Sequence, residues 1–381
     1  MQAYFDNSAT TKPCPEAVEA VNLALTETWG NPSSLHKLGV DAEKLLEQSR
    51  QTVAQSLSCN PEEIYFVSGG TEGNNLAVTG GARLMKRKGN RIVSTAVEHP
   101  SVDEVLSKLS DEGFEVVKIG VDSYGRVKEE DLYEAVNSDT VLVTMMYVNN
   151  EVGSVMPVRT IKSALKRAKS DALIHIDAVQ AYGKLKINPA QLGADLVTLS
   201  SHKIHGPKGV GALYIRKGVR IKPLVYGGEQ EMKMRPGTQA LPLIAGFAAA
   251  VNAIPDYKKS LEEATALRDY MLEKFSETGS IEVNSAPDAL PYVTNISVPG
   301  IKSEPMLNYL SSNGIYVSSG SACSRGKKSR VLTEMKLPDA RLETPLRISF
   351  SRYTTKEEID YLAEMLEKGS KEIRKTGNKN L

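Results

Sequence analysis

Cysteine is scarce in this chain: Cys14, Cys59 and Cys323 are the three among 381 residues. An odd number without metal-ligand spacing excludes a disulfide framework and a zinc site, so any cysteine that matters is expected as a free thiol. Net charge is equally thin. Forty-seven basic residues against 46 acidic ones leave +1, so no whole-molecule field points to direct nucleic-acid binding or to an anionic membrane. Long hydrophobic runs are missing too, since the longest nearly apolar stretch, Leu241 to Ile254, is too short to span a bilayer. The start, Met1-Gln2-Ala3-Tyr4-Phe5-Asp6-Asn7, lacks the basic stretch and apolar core of a secretion signal, so a cytoplasmic protein is expected. There is no internal repeat and no low-complexity tract, only a polar tail from Lys371, read as frayed.

What is present is an ordinary soluble composition, 41% hydrophobic and 24% charged, in a chain longer than one core usually supports. A large domain over residues 1–255 and a smaller one over 256–381 are expected, with residues 1–20 able to pack on the smaller one. From residue 60 onward short apolar runs alternate with helical patterns: strands at Ile64–Val67, Arg91–Ala96, Phe114–Ile119, Thr140–Val148, Ala172–Ile176 and Leu196–Leu199, with helices opening near Thr71, Ser101, Glu129 and Arg159. Such alternation predicts an α/β fold, a mostly parallel sheet with helices on both faces that binds ligands at the carboxyl ends of its strands. After residue 255 the alternation stops. A charged helix over Ser260–Glu277, short strands near Ile281–Asn284, Val293–Val298 and Leu346–Phe350, and an amphipathic helix from Lys356 predict a smaller α+β domain. Two helices, Pro15–Trp29 and Leu35–Leu57, precede the sheet.

Polar groups gather at the predicted strand ends. Ser200-Ser201-His202-Lys203-Ile204-His205-Gly206-Pro207 sets one lysine between a histidine and a small-residue turn, where an amine can form a Schiff base with a carbonyl cofactor. Ser68-Gly69-Gly70-Thr71-Glu72 opens a helix, and the amides of that helix start favour a phosphate, although a plain turn capped by Ser68 or Thr71 reads equally well. Asp177 ends an apolar strand, where a buried carboxylate needs a cation such as a protonated pyridine. Gln180, three residues on, and Asn150 can donate to a ring substituent. His99, before Pro100, can stack on a planar ring and move protons near neutral pH. Phosphate turn, carboxylate, amides, imidazole and amine together are the groups that pyridoxal phosphate needs.

The motifs that run from Tyr4-Phe5-Asp6-Asn7-Ser8-Ala9-Thr10-Thr11 and Gly30-Asn31-Pro32-Ser33-Ser34, through Asn149-Asn150-Glu151-Val152-Gly153 and Arg235-Pro236-Gly237-Thr238, to Ser318-Ser319-Gly320-Ser321-Ala322-Cys323 resemble the cysteine desulfurases of the NifS/IscS family, in the class V aminotransferase branch of the fold-type I pyridoxal phosphate enzymes. The resemblance spans essentially the whole chain and implies a large domain built on a seven-stranded, mostly parallel sheet. It implies Lys203 on the cofactor aldehyde, Asp177 on the ring nitrogen, Gln180 on the phenolic oxygen and His99 over the ring, with Gly70, Thr71, Ser200 and His202 around the phosphate. Thr238 is implied from the second subunit of a homodimer. Arg347, with Asn31 as helper, is implied to hold the substrate carboxylate, and Arg352 is a weaker candidate.

Cys323 separates a desulfurase from its relatives. It stands among small residues with Arg325, Lys327 and Lys328 close behind, and cations favour the nucleophilic thiolate. The expected reaction takes sulfur from L-cysteine, leaving alanine and a persulfide on Cys323. The sulfur then passes to an acceptor protein, a cluster scaffold or a tRNA-thiolation enzyme; the alternative is a selenocysteine lyase or another class V enzyme. Two departures from the family pattern, the basic run after Cys323 and Gly227-Gly228-Glu229-Gln230-Glu231-Met232, bear on the acceptor and not on bond breaking. Cys14 and Cys59 match no family motif.

Overall fold

The computed structural model describes residues 1–279, 281–320 and 328–377. In chain order the strands are β1 (Ala3–Tyr4), β2 (Ile64–Val67), β3 (Arg91–Thr95), β4 (Glu115–Ile119), β5 (Thr140–Met146), β6 (Leu173–Asp177), β7 (Leu196–Ser200), β8 (Gly211–Ile215), β9 (Glu282–Val283), β10 (Val293–Ser297), β11 (Ile315–Tyr316) and β12 (Pro345–Ser349). The helices that position the site are α1 (Pro15–Thr26), α2 (Lys37–Leu57), α3 (Gly70–Met85) and α4 (Pro100–Asp111).

Seven strands form the large sheet in the order β2-β8-β7-β6-β5-β3-β4. Pairing is parallel from β7 across to β4 and antiparallel on both sides of β8. Two antiparallel steps restore direction, so β2 runs the same way as β7. The carboxyl ends of β2, β3, β5, β6 and β7 therefore open on one edge, where such sheets bind ligands. Alternate side chains feed two cores: Val93, Val143 and Val197 pack on one face, and Ile92, Leu142 and Leu196 on the other. β10 pairs with β12 and β9 in a second sheet of three strands, while β1 pairs in parallel with β11.

Differences from the sequence reading have local causes. β8 escaped notice because it runs against the alternation. The apolar stretch at Leu241 is a helix, Leu241–Asn252, apolar all round because it lies between α1 and α2. α2 starts at Lys37 and not Leu35, because the His36 ring caps it by accepting from the Gly39 amide at 3.3 Å. The polar tail from Lys371 is not frayed at its start: the last helix runs Lys356–Gly377. No helix among the described residues is long and apolar enough to cross a membrane.

One buried ion pair braces an unusual backbone run. Glu231, Met232 and Lys233 all take positive φ, at 45°, 52° and 66°. Such a conformation costs non-glycine residues about 1–3 kcal/mol each and persists only where surroundings impose it. Here Glu231 accepts from both terminal nitrogens of Arg50, at 2.8 and 2.9 Å, and from the Phe66 amide at 2.7 Å. Replacing Arg50 with Met strands that carboxylate, so stability is expected to fall by about 3–5 kcal/mol. A lower urea midpoint at unchanged slope is the readout.

Candidate active site

The common edge of the sheet holds a cleft of ≈ 300 Å³. Gly70 and Thr71, His99, Asn150, Asp177 with Gln180, and Ser200 with His202 and Lys203 line it from five strand ends, and Arg347 of β12 closes one side. Asn31 is not among the lining residues. It stands on an exposed turn whose Oδ1 accepts from the Ser33 amide at 2.9 Å. Thr238 is exposed outside the cleft, and Cys323 lies outside the described residues. Arg352 points elsewhere, donating to the Ala253 carbonyl.

One end of the cleft is built for an anion. Gly69 caps α3 at φ 150° and no side chain caps the helix, so neither Ser68 nor Thr71 takes that role and the first-turn amides face the cleft. A Cβ on Gly70 would come within 2.9 Å of Val179 Cγ2, which is why this approach needs glycine. The Ser200 hydroxyl is buried there without a partner.

At the centre Asp177 is buried, its two oxygens held by uncharged donors, Asn74 Nδ2 at 2.7 Å and the Val179 amide at 3.0 Å. A buried carboxylate met only by neutral groups suits a ring cation. Asn74 gives its second proton to Ser101 Oγ at 2.9 Å, and that hydroxyl lies 2.8 Å from His99 Nδ1. Because the Ser101 amide also donates to Nδ1, at 3.1 Å, the neutral His99 ring carries its proton on Nε2. Burial holds the His99 pKa below its ordinary value, against the pull of Asp177. His202, 3.1 Å from Thr10 Oγ1, is pushed down to about 4 by burial and by the neighbouring Lys203 charge.

Lys203 sits in the single turn after β7, its amine donating to the carbonyls of Ser8 and Ala9, the latter at 2.9 Å. Burial, then the charges of Lys184 and Arg347, bring its pKa down to about 7, so a free amine is accessible at neutral pH. Gln180 Nε2 donates to the Ser8 carbonyl at 2.9 Å. The resulting site offers an anion cradle, a carboxylate for a ring cation and an amine for a carbonyl, so its residues fit one planar phosphorylated aldehyde.

Arg347 is 2% exposed and gives Nη2 to Asp6 Oδ1 at 2.7 Å and Nη1 to the Asn150 carbonyl at 3.1 Å, leaving Nε buried without a partner. Its backbone exchanges hydrogen bonds with Ser318, at 2.6 and 3.2 Å, which ties β12 to the chain just before Cys323. Glu151 meets both flanks of segment 321–327. Its Oε2 accepts from Ser329 Oγ at 2.5 Å and would lie 3.0 Å from a Cβ at Gly320. Of the three cations expected around the thiol, Lys328 donates to Asp339 at 2.7 Å; Arg325 and Lys327 lie outside the described residues. Burial pushes the Cys59 thiol up to about 12 and raises that of Cys14.

Asn74, Ser101 and Lys184 were missed in the sequence. Asn74 falls one helical turn after Gly70, on the same face, and that spacing is the signal that finds it.

Fold and site define a class, and comparison with known proteins agrees. The model of the aminotransferase class-V family matches residues 3–362. The chain is similar to a cysteine desulfurase IscS of Dictyoglomus turgidum, 38% identical over 98% of this chain and 95% of the relative. A cysteine desulfurase of Nostoc sp. is 40% identical over 95% and 91%. Among solved structures, a NifS-like protein superposes with a TM-score of 0.91 at 37% identity, covering 97% of this chain and 99% of that one. A second, SspA in complex with cysteine, gives 0.82 at 31%, covering 93% and 100%. The chain belongs to the class-V aminotransferase family, in its cysteine desulfurase branch.

Proposed function

We propose that this enzyme removes sulfur from L-cysteine with pyridoxal phosphate held by Lys203, and carries the sulfur away on Cys323. The observation that carries the reading is the cleft itself, which joins an amine, a buried carboxylate and an open helix start on one sheet edge. Asp177 would hold the ring nitrogen, Gln180 and Asn150 the phenolic oxygen, His99 the ring face, and Gly70, Thr71, Ser200 and His202 the phosphate. Thr238 would be supplied by the second subunit of a homodimer, and Asn31 would assist from its turn.

Bound there, the cofactor supplies an electron sink for the substrate's α-carbon. The chain's own groups do the rest. Arg347 binds the substrate carboxylate with its spare donor, and the Lys203 amine takes the α-proton. The Cys323 thiolate attacks the substrate sulfur: an S–S bond forms, the C–S bond breaks, and the electron pair stays on carbon, which is protonated and leaves as alanine. His99, with its proton on Nε2, serves that transfer. The persulfide passes to an acceptor protein, a cluster scaffold or a tRNA-thiolation enzyme. We read residues 1–255 as the cofactor-binding unit and 256–381 as the unit bearing the thiol loop, with β1 joined to the latter through β11. The free thiols Cys14 and Cys59 suit a reducing compartment, the cytoplasm.

The full chain supplied with pyridoxal phosphate, L-cysteine and a reducing thiol is expected to release alanine and sulfide in equal amounts. A keto acid formed only with an added amino acceptor points to transamination, and turnover confined to selenocysteine points to a lyase; either result overturns the reading.

A further inference from the structure

Beneath the cleft lies a lysine that this mechanism does not use. Lys184 is 9% exposed, and its ammonium donates to the backbone carbonyl of Gln180 at 3.1 Å and to Gln180 Oε1 at 3.3 Å, with no carboxylate among its hydrogen-bond partners in the described residues. Its place is set by the turn after β6. Gly183 takes φ 75°, and a Cβ there would come within 2.5 Å of Ile204 Cγ2, so the turn lies directly against the residue that follows Lys203. A small space of ≈ 40 Å³ is lined by both lysines and by Arg352, so a cluster of cations stands behind the reacting amine.

We propose that Lys184 is a positioning residue for the reaction: its ammonium fixes the Gln180 amide and sets a positive potential behind Lys203. The inference rests on the reading of Lys203 given above. An ammonium donates only, so the atom of Gln180 it meets must be the carbonyl oxygen. A flipped amide would set donors against donors, so Nε2 is held on the far side, where it donates to Ser8 O at 2.9 Å. Gln180 is thus presented in one of its two orientations, the one with Nε2 on the carbonyl of Ser8, a residue that lines the cleft.

The second role is electrostatic. Lys203 is faced by Lys184 from the turn after β6, Arg347 from β12, Asp6 beside β1, and Asp177 at the end of β6. The two cations lower its pKa and the two carboxylates raise it, with Lys184 the strongest of the four. Lys184 is itself faced by Arg347 and is brought down to about 8 by burial. His202 and His205 are both at about 4 and add no charge at neutral pH. Removing the Lys184 charge therefore favours the ammonium form of Lys203 and moves amine chemistry to higher pH.

The test strips the full-length chain of cofactor and measures the rate of pyridoxal phosphate capture against pH, trapped on Lys203 with borohydride. Lys184→Met is expected to move the midpoint up by about one pH unit and to weaken cofactor binding about tenfold by freeing the amide. Lys184→Gln keeps a donor and loses the charge, so it shifts the midpoint equally while binding more tightly than the Met variant. If Met does not fold, Gln reads the same midpoint. A wild-type midpoint in the folded variants overturns the inference while leaving the proposed function intact. Capture that persists in Lys203→Ala overturns the function instead.

Discussion

Replacing Cys323 with Ala is expected to cut alanine and sulfide formation from L-cysteine by at least about a thousandfold, while pyridoxal phosphate is captured as in the wild type. The separation is the point of the experiment. Apart from Thr238, the groups assigned to the cofactor come from strand ends of the large sheet, whereas Cys323 lies in the segment after Gly320. Among the described residues neither other thiol lines the cleft: Cys14 is buried in the core, and burial pushes the Cys59 pKa up to about 12. Mass spectrometry after one turnover should find an added sulfur on Cys323 in the wild type and on no residue of the variant. An undiminished sulfide yield from the variant refutes the assignment.

Lys203→Ala is the second large effect. It removes both the amine that holds the aldehyde and the group that takes the α-proton. Loss of a positioned general base alone is worth about a hundred- to ten-thousandfold, and covalent attachment goes with it. The expected protein keeps its fold and retains no borohydride-reducible cofactor. A stable covalent adduct in this variant would exclude Lys203 from its role. The substitution itself should be mild for stability, since the wild-type amine is partly desolvated and its hydrogen bonds among the described residues go to the Ser8 and Ala9 carbonyls.

Much of this was legible in the chain because the chemistry sits next to hydrophobic runs. Asp177 and Ser200 end apolar strands and Lys203 comes three residues later, and strand-helix alternation brings all parallel strand ends to one edge. His99 could be placed for the same reason, just before a helix opened by Pro100. The hydrogen-bonded chain from Asp177 through Asn74 and Ser101 to His99 was not legible. Its members come from three elements, and an asparagine inside a helix gives no sign of what it meets across a sheet edge. Lys184 was hidden differently: a lysine near a turn reads as a solvated charge, whereas here the turn lies against Ile204 through Gly183 and the lysine is buried.

By itself the sequence determined the class of fold, the order of most of its elements and the residue types that carry the chemistry. Those follow from local spacing, hydrophobic period and motif. The tertiary structure alone decided which neutral donors hold Asp177, that Arg347 keeps a spare nitrogen beside Asp6, that Glu151 meets both flanks of the thiol segment, and that Lys184 stands behind Lys203. Scarcity of cysteine pointed to a free thiol from the start. Burial and charge at each site, which set how an amine or a thiol behaves, depend on residues far apart in the chain, so no local pattern encodes them.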